Sequence, residues 1–165
     1  MPIAIIVEWY GPYTSIEGLK EEAIAWGKKS RTLTRTLYMG ISSREALAES
    51  SINYIGLSTS PSSRFGKHEK MNDPINNAYY LGEIATAGLS GRRTLKTPTD
   101  LHTAEGALIH KLQPTLNTSR KRTAPKDCVV IYSRFWDMND GVTPIPTPEF
   151  FPELIAYNSY TESWL

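Results

Sequence analysis

The chain has a single cysteine, Cys128, among 165 residues, so it can form neither an internal disulfide framework nor a cysteine-cluster zinc site. Set in an apolar run, Cys128 is expected to be a small buried hydrophobe in a reducing, cytoplasmic setting. Long apolar runs are also missing. None approaches the roughly 18 residues of a membrane span, so no membrane association is expected. Met1-Pro2 leads into Ile3-Ala4-Ile5-Ile6-Val7 and then Glu8, with no basic stretch ahead of the short apolar one, which argues against a secretory signal. There is no internal repeat and no low-complexity segment. With 40% hydrophobic and 21% charged residues, the expectation is one globular domain over residues 1–165.

A net excess of either charge is absent too, since 18 Lys and Arg face 17 Asp and Glu. The near-neutral total hides a split. Residues 1–27 carry four acids and Lys20, a net of −3, and residues 127–165 carry six acids and Arg134, a net of −5. The segment between, 28–126, carries 16 Lys or Arg against 7 Asp or Glu, a net of +9. A basic middle between acidic ends points to a polyanion-facing surface on the middle of the chain.

Local patterns predict an α/β (α+β) domain of about five strands, with a small, mostly antiparallel central sheet flanked by helices. Ile3–Tyr10 is β-branched and aromatic and ends at the turn signal Gly11-Pro12. Thr14 or Ser15 then caps a helix with Ile16, Leu19, Ala23 and Trp26 at helical spacing and Gly27 as its stop. Arg35–Ile41 and Ile52–Ser58 form a hairpin with a long polar connection. A helix is expected from Pro61 to about Met71, and a strand over Tyr79–Thr86, because Gly82 and Gly88 disfavour a helix there. Asp100 or Thr103 opens a helix carrying Leu101, Ala104, Leu108, Ile109 and Leu112, closed by Pro114. Cys128–Phe135 is a last strand and Phe150–Tyr157 a short helix.

Within this frame Thr36-Leu37-Tyr38 lies on one strand and Tyr54-Ile55-Gly56 on the next. Arg64 and His68 follow, four apart, so a helix would present both on one face beside the strand end that bears Tyr54. Downstream, Glu105 lies on a helix that is followed by Pro114 and Asn117. Singly, these are ordinary residues: strand tyrosines are usually core-edge aromatics and a helical glutamate usually faces solvent. Only their order and spacing together point to chemistry.

That ordered set resembles the GIY-YIG nuclease superfamily over roughly Arg35 to Asn117. Thr36-Leu37-Tyr38 is similar to its degenerate first triplet and Tyr54-Ile55-Gly56 to its second. Arg64, ten residues after Tyr54, falls where the family has its arginine, and His68 where it has His or Tyr. Glu105 matches the metal-binding glutamate, and Pro114-x-x-Asn117 the closing motif. Two departures stand out: Thr36 replaces the glycine of the first triplet, and Leu57 sits where some members carry a lysine. The N-terminal segment 1–34 and the C-terminal segment 118–165 would then be a strand-helix extension at either end of the motif region.

The resemblance implies a metal-dependent endonuclease with catalytic Tyr38, Tyr54, Arg64, His68, Glu105 and Asn117. Phosphodiester hydrolysis needs an in-line water, a base, a cation for the non-bridging oxygens and relief of charge on the leaving oxygen. A lone carboxylate suits one hard divalent ion that keeps most of its waters, Mg²⁺ or Mn²⁺ on Glu105. Arg64 would clamp the phosphate, and Tyr38, Tyr54 and His68 would position or deprotonate the water. A phenol of ordinary pKa is a poor base, so the metal or Arg64 must lower it. Asn117 has a structural reading as well, tying the helix end to the hairpin. His110 lies about 140° round the helix from Glu105, so a His-Glu-His cluster with His102 is not expected.

Two basic groups border these elements and are candidates for phosphate contacts: Arg92, Arg93 and Lys96 before the Glu105 helix, and Arg120, Lys121, Arg122 and Lys126 after Asn117. The expected partner is DNA, with RNA left open. No separate DNA-reading module is visible, so specificity would come from the flanks, from homodimerisation or from a targeting partner. Two alternatives remain: a nuclease toxin neutralised by an immunity partner, and a nucleic-acid-binding module without catalysis.

Overall fold

Strict alternation along the first strand sets the plan of the molecule. In β1 (Ile3–Tyr13), Ile5, Val7 and Trp9 point to one face and are almost wholly buried. The computed structural model describes residues 2–29, 36–44, 49–60, 64–86 and 100–165. The other elements are α1 (Ile16–Lys29), β2 (Thr36–Arg44), β3 (Glu49–Ser58), a 3₁₀ turn (Phe65–Lys67), β4 (Ala78–Ile84), α2 (Asp100–Leu112), β5 (Val129–Asp137), β6 (Pro144–Ile145), β7 (Leu154–Asn158) and β8 (Ser163–Trp164). The fold is α+β. Its sheet runs β3-β2-β4-β1-β5-β7-β8, with β6 paired to β5. β1 and β5 are parallel, and every other pairing is antiparallel.

Among the described residues, one helix packs on each face of the sheet. Leu101, Ala104, Ala107, Leu108 and Ile109 of α2 pack with Ile5, Val7, Trp9, Leu37, Met39, Ile55 and Phe135. On the opposite face Ile16, Leu19 and Ala23 of α1 pack with Tyr13, Tyr38, Phe65, Met71, Tyr79 and Leu81. Of the predicted apolar stripes, Ile16, Leu19 and Ala23 of α1 and Leu101, Ala104, Leu108 and Ile109 of α2 are buried, and Leu112 is half-buried; the Trp26 side chain lies outside the described residues. Ser15 is the N-cap of α1, its Oγ accepting from the Gly18 amide at 3.0 Å. Among the described residues no helix is long and apolar enough to cross a membrane.

Several expectations are corrected. The sheet has eight strands among the described residues, not about five, and it is not small. The N-terminal segment is no appendage, because β1 lies between β4 and β5 in the middle of the sheet. β1 continues past Gly11-Pro12 to Tyr13, the turn signal being absorbed as a register shift between Tyr10 and Tyr13. α1 runs beyond Gly27 to Lys29. The β2–β3 hairpin extends through its polar residues to Arg44↔Glu49, helped by a 2.7 Å bond between the Ser42 and Ser51 hydroxyls. Phe150–Tyr157 forms no helix. Phe151 and Ile155 are both buried and four apart, which mimics a helical stripe, but from Leu154 onward exposure alternates and β7 pairs with β5. Cys128 is only half-buried, and its thiol lies 3.3 Å from the Ser159 hydroxyl.

β3 ends the sheet, and its outer edge is sealed by side chains and loop backbone rather than by another strand. The Asn117 amide works like one residue of a strand: its Oδ1 accepts from the Ile55 amide at 2.9 Å and its Nδ2 donates to the Ile55 carbonyl at 2.8 Å. The Leu116 amide donates to the Asn53 carbonyl at 2.7 Å. Buried backbone groups left without partners are costly. Asn117→Ala orphans both polar groups of Ile55 and is expected to lower unfolding free energy by about 3 kcal/mol. Denaturant midpoints with an unchanged slope will measure this, and a loss below about 1 kcal/mol would mean that water substitutes for the amide.

Candidate active site

Tyr38 and Tyr54 stand on neighbouring strands on the α1 face of the sheet. Alternation sends Leu37 and Met39 of β2 into the α2 core and leaves Tyr38 on the other side, wholly buried. Its cross-strand partner is Gly56, where a Cβ would meet Tyr38 Cζ and Oη at 2.7 Å. The glycine of Tyr54-Ile55-Gly56 is therefore a steric requirement of the tyrosine opposite. The Tyr38 ring lies 6.1 Å from that of Tyr54, 5.0 Å from Phe65 and 5.5 Å from His68, and the Tyr54 and His68 rings are 4.9 Å apart.

Arg64 stands in helical structure, its amide bonded to the Ser60 carbonyl at 3.1 Å, but a 3₁₀ turn ends that stretch before His68, well short of the Met71 expected for a helix from Pro61. Pro61 itself lies outside the described residues. Arg64 has helical backbone, Phe65–Lys67 tightens to 3₁₀ geometry, and His68 is already extended. Gly66 favours the break, and the Asn72 side chain takes the Phe65 and His68 carbonyls at 3.2 and 2.8 Å, competing with any onward helix. Arg64 and His68 still converge, Arg64 Nε donating to Tyr38 Oη at 3.3 Å.

The protonation pattern follows from these contacts. Burial raises the pKa of both phenols, that of Tyr38 well above the ordinary value, and Glu105 adds to the effect, while Arg64, and at Tyr54 also Tyr38, pull the other way. Burial, then the Arg64 charge, hold His68 below its ordinary value of 6.5, so its imidazole is neutral at pH 7. His68 Nδ1 accepts from the Met71 amide at 3.4 Å, which places the neutral ring's proton on Nε2. That Nε2 is buried beside the phenols and has no hydrogen-bond partner among the described residues.

Glu105 comes from the opposite layer. It projects from α2 round the edge of β3, where Oε1 accepts from the Leu57 amide at 3.1 Å and Oε2 lies 3.1 Å from Arg120 Nη1. Burial raises its pKa, opposed by Arg120, the Leu57 amide and Arg64. A cleft of about 920 Å³ opens here, its walls including Tyr54, Arg64, Lys67, His68, Glu105 and Arg120. One edge of the sheet thus brings together the side chains of both layers.

Of the predicted site residues, Tyr38, Tyr54, Arg64, His68 and Glu105 converge. Asn117 does not face the cleft; it holds the strand that carries Tyr54. Arg120 enters the cleft, on Glu105. Lys121 donates to the Pro114 carbonyl at 2.9 Å, and Arg122 and Lys126 are exposed on the loop. Arg92, Arg93 and Lys96 lie outside the described residues. His110 accepts from Trp164 Nε1 at 3.0 Å, away from Glu105. Lys70, not singled out by the sequence, lies over the Tyr54 ring at 5.7 Å and bonds Thr118 at 3.2 Å. Its signal was its place two residues after His68, inside the basic segment.

No group of three or more His, Cys, Asp or Glu is placed to hold a metal among the described residues. Glu105 is the carboxylate on the cleft wall that could hold one hard, largely hydrated divalent ion, in place of the Arg120 guanidinium that lies on its Oε2. No family model, curated protein or solved structure matches the chain.

The Gly56 contact is directly testable. Gly56→Ala is expected to displace the Tyr38 ring and to cost about 1–3 kcal/mol by overpacking. The change will register in the near-ultraviolet dichroism of tyrosine and in the denaturant midpoint, with secondary structure retained; unaltered spectra and stability would show that the strands separate freely to admit a methyl group.

Proposed function

We propose that the protein is a metal-dependent endonuclease that hydrolyses DNA phosphodiester bonds at the cleft beside β3. The observation that carries this reading is the position of Tyr54. Its ring lies 6.1 Å from that of Tyr38, whose hydroxyl holds Arg64 Nε, and against that of His68, whose neutral Nε2–H has no hydrogen-bond partner among the described residues. Arg64 and Tyr38 both favour its ionised form against the burial that opposes it. Donors gathered round a phenol stabilise a phenolate, the form in which tyrosine takes a proton from water. Glu105 and the cationic wall of the cleft provide for the anion that such a water would attack.

In this mechanism Tyr54 is the base and His68 the donor that steadies its oxygen. Arg64 holds Tyr38 in the free protein and turns a guanidinium N–H to a non-bridging phosphate oxygen when the strand binds. Lys67 and Arg120 line the approach for neighbouring phosphates. A Mg²⁺ or Mn²⁺ ion held by Glu105 would neutralise charge on the phosphate and leaving oxygens.

Cleavage of plasmid DNA in Mg²⁺, with EDTA as the control, tests the activity. Glu105→Gln keeps an acceptor for the Leu57 amide but removes the charge, so folding is expected to persist while the rate falls about 100-fold or more. Metal-dependent cleavage within about tenfold of wild type would overturn the role given to Glu105.

The pH profile separates the two candidate bases. Because the Tyr54 pKa is raised, the neutral phenol predominates at pH 7 and its phenolate grows as pH rises, so log kcat/KM is expected to climb with a slope of about one from about pH 7 to 9. Were His68 the base, its lowered pKa would leave it fully deprotonated by neutrality. A rate that levels off by about pH 7, or an alkaline rise that survives Tyr54→Phe, would remove Tyr54 from the role of base.

A further inference from the structure

The guanidinium of Arg120 occupies the oxygen of Glu105 that a metal ion would need. Nη1 lies 3.1 Å from Oε2 and also donates to the His102 carbonyl at 3.0 Å, while the other carboxylate oxygen is engaged by the Leu57 amide. Its neighbour on α2 is Gly106, where a Cβ would come within 3.3 Å of Nη1, so the missing side chain leaves room for the guanidinium. The chain bends sharply to present it, Arg120 having φ +64°, three residues after the Asn117 clamp. The Arg120 side chain is 39% exposed and that of Glu105 13%, so the arginine can swing outward while the carboxylate stays in place.

We infer that Arg120 is a built-in counter-cation of Glu105, displaced jointly by a divalent ion and a nucleic-acid phosphate. The inference rests on Glu105 being the metal ligand. Two cations cannot share Oε2 at close range without strong repulsion, so a divalent ion entering the free protein must first expel Arg120 and leave it without an anion. A phosphate bound in the cleft offers the guanidinium a bidentate partner, and Oε2 is then released to the metal. Metal and nucleic acid therefore bind with positive coupling, and each strengthens the other by the same factor. The free enzyme holds its metal weakly and is assembled for hydrolysis only on a strand.

Mn²⁺ binding, followed by the resonance signal of the free ion, tests this with and without a short mixed-sequence DNA duplex. Wild type is expected to bind Mn²⁺ at least about tenfold more tightly with the duplex, and Arg120→Gln to bind it without DNA nearly as tightly as wild type does with DNA, so that its coupling falls below about threefold. Gly106→Ala, which crowds Nη1 while favouring the helix, is expected to tighten DNA-free Mn²⁺ binding in the same direction and by a smaller factor. Glu105→Gln is expected to lose the Mn²⁺ site in both conditions. If Glu105→Gln loses Mn²⁺ but Arg120→Gln keeps wild-type affinities and coupling, Arg120 is no counter-cation and the inference fails while Glu105 keeps its role. If Glu105→Gln binds Mn²⁺ as wild type does, the metal assignment itself fails.

Discussion

Everything at the cleft depends on how the free edge of β3 is satisfied. A strand at the end of a sheet exposes amides and carbonyls that must find partners. Here they find them in α2 and the loop after it: Glu105 takes the Leu57 amide, Asn117 takes both polar groups of Ile55, and the Leu116 amide takes the Asn53 carbonyl. The contacts that close the sheet also fix the register of α2 against β3. They set the Glu105 carboxylate at Leu57 on the wall of the cleft, so sealing the edge and placing that carboxylate in the cleft are one arrangement.

That arrangement holds charged and phenolic groups together at a cost in solvation, which raises the Tyr38, Tyr54 and Glu105 pKa values and lowers that of His68, and which neighbouring groups offset in part. Tyr38 is buried among Phe65, His68 and Tyr54, where ring edges meet ring faces, and its hydroxyl is satisfied by Arg64. Arg64 in turn remains largely exposed, so its charge keeps its water while its Nε serves the phenol. His68 is held neutral by burial and by that same cation, which leaves it a donor of hydrogen bonds rather than a second positive charge. The Arg64 guanidinium thus bears on three neighbours at once.

How much of this was legible in the sequence follows from which interactions are local. The apolar stripes of α1 and α2, and the β-branched and aromatic runs bounded by turn signals that mark the strands from β1 to β5, depend on residues within one element, so they could be read locally. The convergence of Tyr38, Tyr54, Arg64, His68 and Glu105 was legible as an ordered motif, although the Arg64–His68 pair meets through a 3₁₀ turn and not a helix face. What could not be read was long-range. β7 is a strand because β5 offers it an edge, whereas its own few residues, with Phe151 and Ile155 four apart, satisfy a helical period equally well. The place of Arg120 on Glu105 depends on the loop being pinned by Asn117, a constraint that no spacing rule carries.

The charge split along the chain acquires a spatial meaning from the strand order. Strands from the basic segment, β2, β3 and β4, form one side of the sheet, and β5, β6, β7 and β8 from the acidic C-terminal segment form the other. β1, also from an acidic segment, lies between them, and its Glu8 pairs with Arg134 of β5. Of the described cations, Arg64, Lys67, Lys70 and Arg120 line the cleft at the β3 edge, with Glu69 and Glu105 among them, whereas Arg134 stands on β5 and Lys111 lies over Trp164 of β8. The formal charge of +1 is therefore the sum of unlike segments, β2 to β4 coming from one of net +9 and β5 to β8 from one of net −5. Under the proposed function, that distribution would steer a nucleic-acid strand toward the cleft at the β3 edge without the large net positive charge that would bind nucleic acid on every face.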